Sequence, residues 1–155
     1  MLHPRIARFV LPATFSALLA AAGVIGPVAS ATPASAAVAS IGLRAEAQAA
    51  SRKGAPYQWG AVGPRKFDCS GLTLWSYARV GKRLPRTTTQ QYRATLHVSR
   101  SRARVGDLVF FHNRSGIYHV AIYAGHNMIW HAPKPGRRVS LVPIWTSSVY
   151  FGRVR

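Results

Sequence analysis

The chain has 155 residues, 48% of them hydrophobic, and carries 21 lysines and arginines against three acids, a formal net charge of +18. That length holds one domain with one core, and a single cysteine excludes an internal disulfide. The basic residues are scattered from Arg44 to Arg155 without zinc spacing, a basic zipper or a reading helix, so specific nucleic-acid recognition is not expected.

Arg5 and Arg8 precede an apolar stretch from Phe9 to Val28 and the small-residue site Ala34-Ser35-Ala36, the order of an export signal. Cleavage is placed after Ala36, which gives a leader over 1–36 and a mature domain over 37–155. A membrane anchor is the competing reading, since the stretch approaches the roughly 20 apolar residues that span a bilayer. Pro12, Gly23, Gly26 and the Ala-Ser-Pro tract favour cleavage, with no stable membrane span afterwards. Losing Arg5 and Arg8 lowers the formal charge from +18 to +16, because Glu46, Asp68 and Asp107 all lie in the mature part. A secreted chain of that sign is drawn to the anionic polymers of a cell wall or to lipid head groups, and a wall-associated monomer is expected.

In chain order, the alanine-rich segment Ile41 to Arg52 predicts a helix stopped by Gly54 and Pro56. An aromatic loop follows through Pro64. Asp68 caps a helix over Cys69 to Val80 that carries Leu72, Trp75 and Tyr77 and closes at Gly81. Leu84-Pro85-Arg86 is a turn, and Thr88 to Ala94 a short helix opened by a threonine cap. The period then changes to that of strands. Leu108 to Phe111 is one; His119 to Tyr123 and Met128 to His131 form a hairpin about Gly125-His126-Asn127; Val139 to Val142 and Val149 to Val154 are two more. Lys134 to Arg138 is an exposed turn. Helices followed by a meander predict an α+β fold with N-terminal helices packed on a central antiparallel sheet.

The chemistry centres on Cys69. A thiol attacks as thiolate, which a helix N-terminus and a neighbouring imidazolium favour, and the flanking Asp68, Ser70 and Gly71 do not suit a core stripe. Side chains alternate along strands, so a hairpin centred on Gly125 or on His126 brings His119 and His131 to one side, whereas a half-residue shift of the centre would separate them. The pair then serves as base and orienter for the thiol. A zinc site from Cys69, His119 and His131, with His112 or His126, is the alternative, but no paired ligand spacing supports it, and neither metal nor cofactor is expected. His97, His112 and His126 are read as surface residues.

Taken together, Tyr57-Gln58-Trp59-Gly60, Phe67-Asp68-Cys69-Ser70-Gly71-Leu72, Leu84-Pro85-Arg86, Gln90 or Gln91, Gly106-Asp107-Leu108-Val109-Phe110-Phe111, His119 through Gly125, His131-Ala132-Pro133 and Tyr150 through Val154 resemble the NlpC/P60 cysteine peptidases. The resemblance implies a papain-like α+β fold and hydrolysis of peptidoglycan stem peptides, usually between D-γ-glutamyl and a diamino acid. It implies Cys69 as nucleophile, His119 as base, His131 as third polar residue, Tyr57 with the Cys69 N–H as oxyanion support, and Asp68 and Ser70 as substrate contacts. Asp107 reads as structural. Ala61 and Ala121 stand where the family often has glycine. No wall-binding repeat is recognised, so targeting is expected to fall to the charge. Two alternatives stay open: a silent or weakly active cationic wall-binding domain, and an amidase or acyltransferase of the same fold.

Overall fold

The computed structural model describes residues 33–155; the leader expected over 1–36 lies outside the described residues as far as position 32, and its cleavage bond after Ala36 falls within the first helix. That helix, α1 (Pro33–Ala50), starts well before the expected Ile41 and ends two residues short of Arg52. Alanine favours helix at little entropic cost, so the alanine-rich sequence extends the helix toward its N-terminal side. Ala45 and Ala49, one turn apart, are fully buried, and Glu46 accepts the indole N–H of Trp130 at 2.7 Å. Small residues let the backbones meet: a Cβ at Gly106 would lie 2.2 Å from the carbonyl carbon of Gly42. Gly106 also sits at φ +93°, which favours glycine a second time.

The second helix, α2 (Cys69–Ala78), begins where Asp68 accepts the Gly71 N–H at 2.7 Å, as the capping rule requires. It ends two residues before the expected Val80, and Gly81 takes the left-handed conformation beyond it. Leu72 and Tyr77 are buried, and Tyr77 Oη donates to the Gly106 carbonyl at 2.5 Å. The third helix, α3 (Thr88–Arg93), is a six-residue element opened by a capping box between Thr87 and Gln90.

Six strands follow: β1 (Leu96–Val98), β2 (Leu108–Asn113), β3 (Gly116–Gly125), β4 (Met128–His131), β5 (Ser140–Pro143) and β6 (Val149–Arg153). They form one antiparallel sheet in the order β1-β6-β2-β3-β4-β5. The expected α+β architecture is therefore present, with β1 as an addition, β2 two residues longer at its end, β3 three residues longer at its start and two at its end, β5 shifted by one residue at both ends, and β6 one residue shorter at its end.

Both faces of the sheet are covered. Leu108, Phe110, Val120 and Ile122 pack with Leu72, Tyr77 and Ala45 on the helical side; Val109, Phe111, Ala121 and Ile129 pack with Phe151 and Ile144 on the other. Burial on two faces is why Leu108 to Phe111 is uniformly apolar instead of alternating. In the β3–β4 hairpin Ile122 pairs with Trp130 and Tyr123 with Ile129, a register centred on His126, while a register shift between Tyr123 and Gly125 leaves Gly125 opposite Met128 next to the turn. Its turn residues His126 and Asn127 sit at φ 49° and 61°, the conformation of a tight hairpin turn. Among the described residues no helix is long and apolar enough to cross a membrane.

Candidate active site

Cys69 is the first residue of α2 and is half-buried, free of any disulfide. Asp68 fixes this corner. Its carboxylate accepts from the N–H of Gly60 at 2.9 Å and of Gly71, and forms an ion pair with Arg86. Ser70 Oγ donates to Asp68 at 3.3 Å and accepts from Arg86 Nη1 at 2.8 Å. Gly71 is required by close approach, since a Cβ there would lie 2.1 Å from the carbonyl oxygen of Ala61. The thiol opens into a cavity of about 330 Å³ lined by Trp59, Asp68, Ser70, Arg86, Thr88 and Tyr118, with Thr88 Oγ1 at 3.9 Å from Sγ. Among the described residues no acceptor takes the Cys69 N–H.

Tyr57 is half-buried near this corner. Burial raises its pKa above the usual phenol value, and the charges of Cys69 and Asp68 raise it further. The hydroxyl therefore stays a hydrogen-bond donor.

The hairpin register makes His119 and His131 diagonal neighbours, and their rings meet: His119 Nε2 lies 3.1 Å from His131 Nδ1. Each residue is only 7% exposed. Burial pushes the His119 pKa down to about 3, with His131 adding to the effect, and burial alone pushes His131 down to about 4. Both rings are neutral at physiological pH. The shared contact occupies Nε2 of His119, leaving Nδ1 as the nitrogen not engaged with its partner. Phe111, 5.4 Å between centroids, and Trp145, 5.9 Å, wall in His119; Trp145 also lies 5.4 Å from His131. A cavity of about 390 Å³ is lined by both histidines, Tyr118, Pro133, Lys134 and Trp145. Tyr118 thus borders the thiol cavity and the imidazole cavity alike, on the strand against which α2 packs.

The structure brings Cys69, Asp68 and Ser70 to one cavity and His119 and His131 to the next, with Tyr57 on the thiol side. Asp68 and Ser70 have their oxygens engaged with Arg86 and the α2 terminus, so they hold the cavity wall while lining it. Arg86, present in the motif but given no role from sequence, is the partner that fixes them. Gln91 has a similar structural duty: fully buried, it donates to the carbonyls of Ser70 and Pro85 at 3.0 Å and accepts from Thr73 at 2.7 Å. Trp145 and Tyr118 carried no sequence signal, because each follows from strand pairing and loop path. Asp107 is buried in an ion pair with Arg153 at 2.7 Å. His97 and His126 are exposed, whereas His112 is half-buried and stacks on Tyr150 at 4.1 Å, so it is only partly a surface residue. Among the described residues no three histidine, cysteine or acidic side chains converge as metal ligands.

Comparison with known proteins places this geometry. The NlpC/P60 family model matches residues 54–151. A probable endopeptidase of Corynebacterium glutamicum is 41% identical over 129 residues, covering 83% of this chain and 56% of its own length. The chain thus spans little more than half of that relative. The structure of the peptidoglycan hydrolase RipB from Mycobacterium tuberculosis superposes with a TM-score of 0.68 at 28% identity, over 77% of this chain and 67% of that one. RipD of the same organism, described as a non-catalytic NlpC/P60 domain protein adapted to peptidoglycan binding, superposes with a TM-score of 0.65 at 32% identity, over 74% and 98%. A matched stretch that holds the cysteine, both histidines and their supporting residues, on the same fold, shows that this chain belongs to the NlpC/P60 family.

Proposed function

We propose that the chain is a secreted cysteine endopeptidase that hydrolyses peptidoglycan stem peptides, at the bond between D-γ-glutamyl and a diamino acid. The observation that carries the reading is the 3.1 Å contact between two neutral, buried imidazoles, His119 on β3, the strand against which the cysteine helix packs, and His131 on the neighbouring β4. If His119 donates its Nε2 proton to His131, its Nδ1 lone pair is the base for the thiol, and His131 fixes the ring's tautomer and orientation. Sγ of Cys69 then attacks the scissile carbonyl as Nδ1 takes the thiol proton. The oxyanion is held by the Cys69 N–H and the Tyr57 hydroxyl. On collapse the C–N bond breaks, the leaving amine receives the proton from Nδ1, and the acyl group remains as a thioester. Water, deprotonated by the same imidazole, hydrolyses the thioester and restores the thiol. Asp68 and Ser70, braced by Arg86, serve as walls of the acyl-side cavity.

The likeness to RipD supports a second reading, a wall-binding domain without catalysis. Retention of the cysteine, the imidazole pair and the loop tyrosine together favours the enzyme. Cys69→Ala is expected to abolish release of stem-peptide fragments from purified walls while leaving wall adhesion intact, and mass spectrometry of the fragments reads the bond. Fragment release by the variant would defeat the thiol mechanism.

A further inference from the structure

Beside the imidazole pair lies a second cavity, of about 490 Å³, lined by His131, Pro133, Lys134, Arg137, Arg138 and Val142 among others. We propose that it binds the carboxylate of the diamino acid that leaves on cleavage, so that Lys134 and Arg137 select a leaving fragment with a free acid over its carboxamide. The proposal rests on the peptidase reading and names the chemistry of its leaving side.

Three observations carry it. The first is position. Collapse of the tetrahedral intermediate hands a proton from the imidazole to the amine, so the departing fragment lies on the imidazole side and the acyl half on the thiol side. The cavity shares His131, Pro133 and Lys134 with the one that holds His119, so a chain leaving the imidazole runs into it.

The second is unmet charge. No acidic side chain lines the cavity. Asp68 is paired with Arg86, Asp107 with Arg153, and Glu46 accepts from Trp130. Lys134 and Arg137 make no side-chain hydrogen bond or ion pair with any described residue, whereas Arg138 Nη1 donates to the Gly54 carbonyl at 2.9 Å. Two exposed cations thus line the cavity, their side chains without a hydrogen-bonding or ion-pair partner among the described residues, and a guanidinium together with an ammonium suits a carboxylate.

The third is rigidity. The loop that carries these residues is pinned along its backbone: the Tyr57 N–H donates to Arg137 O at 2.9 Å, Val139 N–H to Ala55 O at 2.8 Å, and Gly54 N–H to Val139 O at 2.9 Å. The same ties join the cationic loop to the segment bearing Tyr57, so the two are set in place together. Pro133 and Val142 add apolar wall for the methylenes of the ligand.

The test measures binding by calorimetry of a free diaminodicarboxylic acid and of its bisamide to the intact protein. The wild type is expected to bind the diacid about tenfold more tightly, the scale of a charge-assisted hydrogen bond. Lys134→Gln with Arg137→Gln should bring the ratio below about twofold, the loss of that same interaction. Arg93→Gln with Arg155→Gln removes the same charge beside a different cavity, next to β1 at the far edge of the sheet from β5, and should leave the ratio unchanged. No discrimination by the wild type, or equal loss in both double variants, would overturn the proposal, the second by assigning the preference to the general field. The probe is a product and is not cleaved. Absent hydrolysis with the preference retained would defeat the peptidase reading alone, and hydrolysis without the preference would defeat this one alone.

Discussion

At the scale of single residues the decisive feature is that two imidazoles buried against each other resist taking up a proton. His119 is held at about 3 and His131 at about 4, against 6.5 for a free ring, chiefly by burial. Between pH 6.5 and about 4 the unfolded chain binds protons that the folded pair refuses, so the folded state loses ground as acid is added. The contribution is complete above pH 6.5 and is lost as pH falls toward the folded values. Melting temperature should therefore fall across that window, by an amount that shrinks when both histidines become asparagine; an unchanged slope in the double variant would place the acid sensitivity elsewhere. The same pair makes a kinetic prediction. His131→Ala leaves His119 free to turn, so kcat should drop about a hundredfold with KM little changed, and His131→Gln, whose amide oxygen can accept the Nε2 proton, should recover part of it. A rise in KM alone would mean that His131 binds substrate and does not orient the base.

At the scale of elements, the entry to α2 is where stability and the site share the same atoms. Asp68→Ala removes the cap on Gly71, the tie to Gly60 and the partner of Arg86. Because Arg86 remains partly exposed and can be hydrated, the expected cost is about 2 to 3 kcal/mol by denaturant unfolding. Asp68→Asn, which keeps an acceptor for the cap, should cost about 1 kcal/mol. Equal losses would show that the ion pair, not the cap, sets the stability. This corner was also the most legible part of the sequence, since a capping acid, a helix-length run and a closing glycine are all local signals. The β3–β4 hairpin was legible in part: period-two alternation puts His119 and His131 on one side for a centre at Gly125 or His126, and the pairs Ile122–Trp130 and Tyr123–Ile129 are centred on His126, but the register shift that sets them half a residue from the Gly125–Met128 pair at the turn has no local signal. Other features are non-local and left no such trace. Leu96–Val98 is too short to announce a strand and exists because β6 pairs with it. The placement of β6 between β1 and β2 depends on a crossover that no local pattern encodes. Trp145 reaches the imidazoles from the loop after β5, and Arg86 reaches Asp68 across 18 positions, so their roles appear only once the chain is folded.

At the scale of the whole molecule, positive charge far exceeds the acid that could pair with it. The chain has 21 lysines and arginines against three acids, and among the described residues those acids are all engaged within the domain, Asp68 with Arg86, Asp107 with Arg153 and Glu46 with Trp130. Self-repulsion of that size destabilises a compact fold, while the same field draws in polyanions. Such attraction is long-ranged and screened: the Debye length falls from about 10 Å at 0.1 M salt to about 3 Å at 1 M. Chemistry at the thiol and imidazoles acts over shorter distances and inside buried contacts, where salt reaches little. The two should therefore separate in one experiment. Association with purified walls should collapse between 0.1 and 1 M salt, on the order of those screening lengths, while turnover of a small uncharged stem-peptide analogue stays within about twofold. Wall association that persists at molar salt would remove charge as the anchor and transfer recognition to the aromatic rim, where Trp59 is 83% exposed and Tyr118 and Trp145 about half. Turnover that falls in step with association would instead tie the field to catalysis itself.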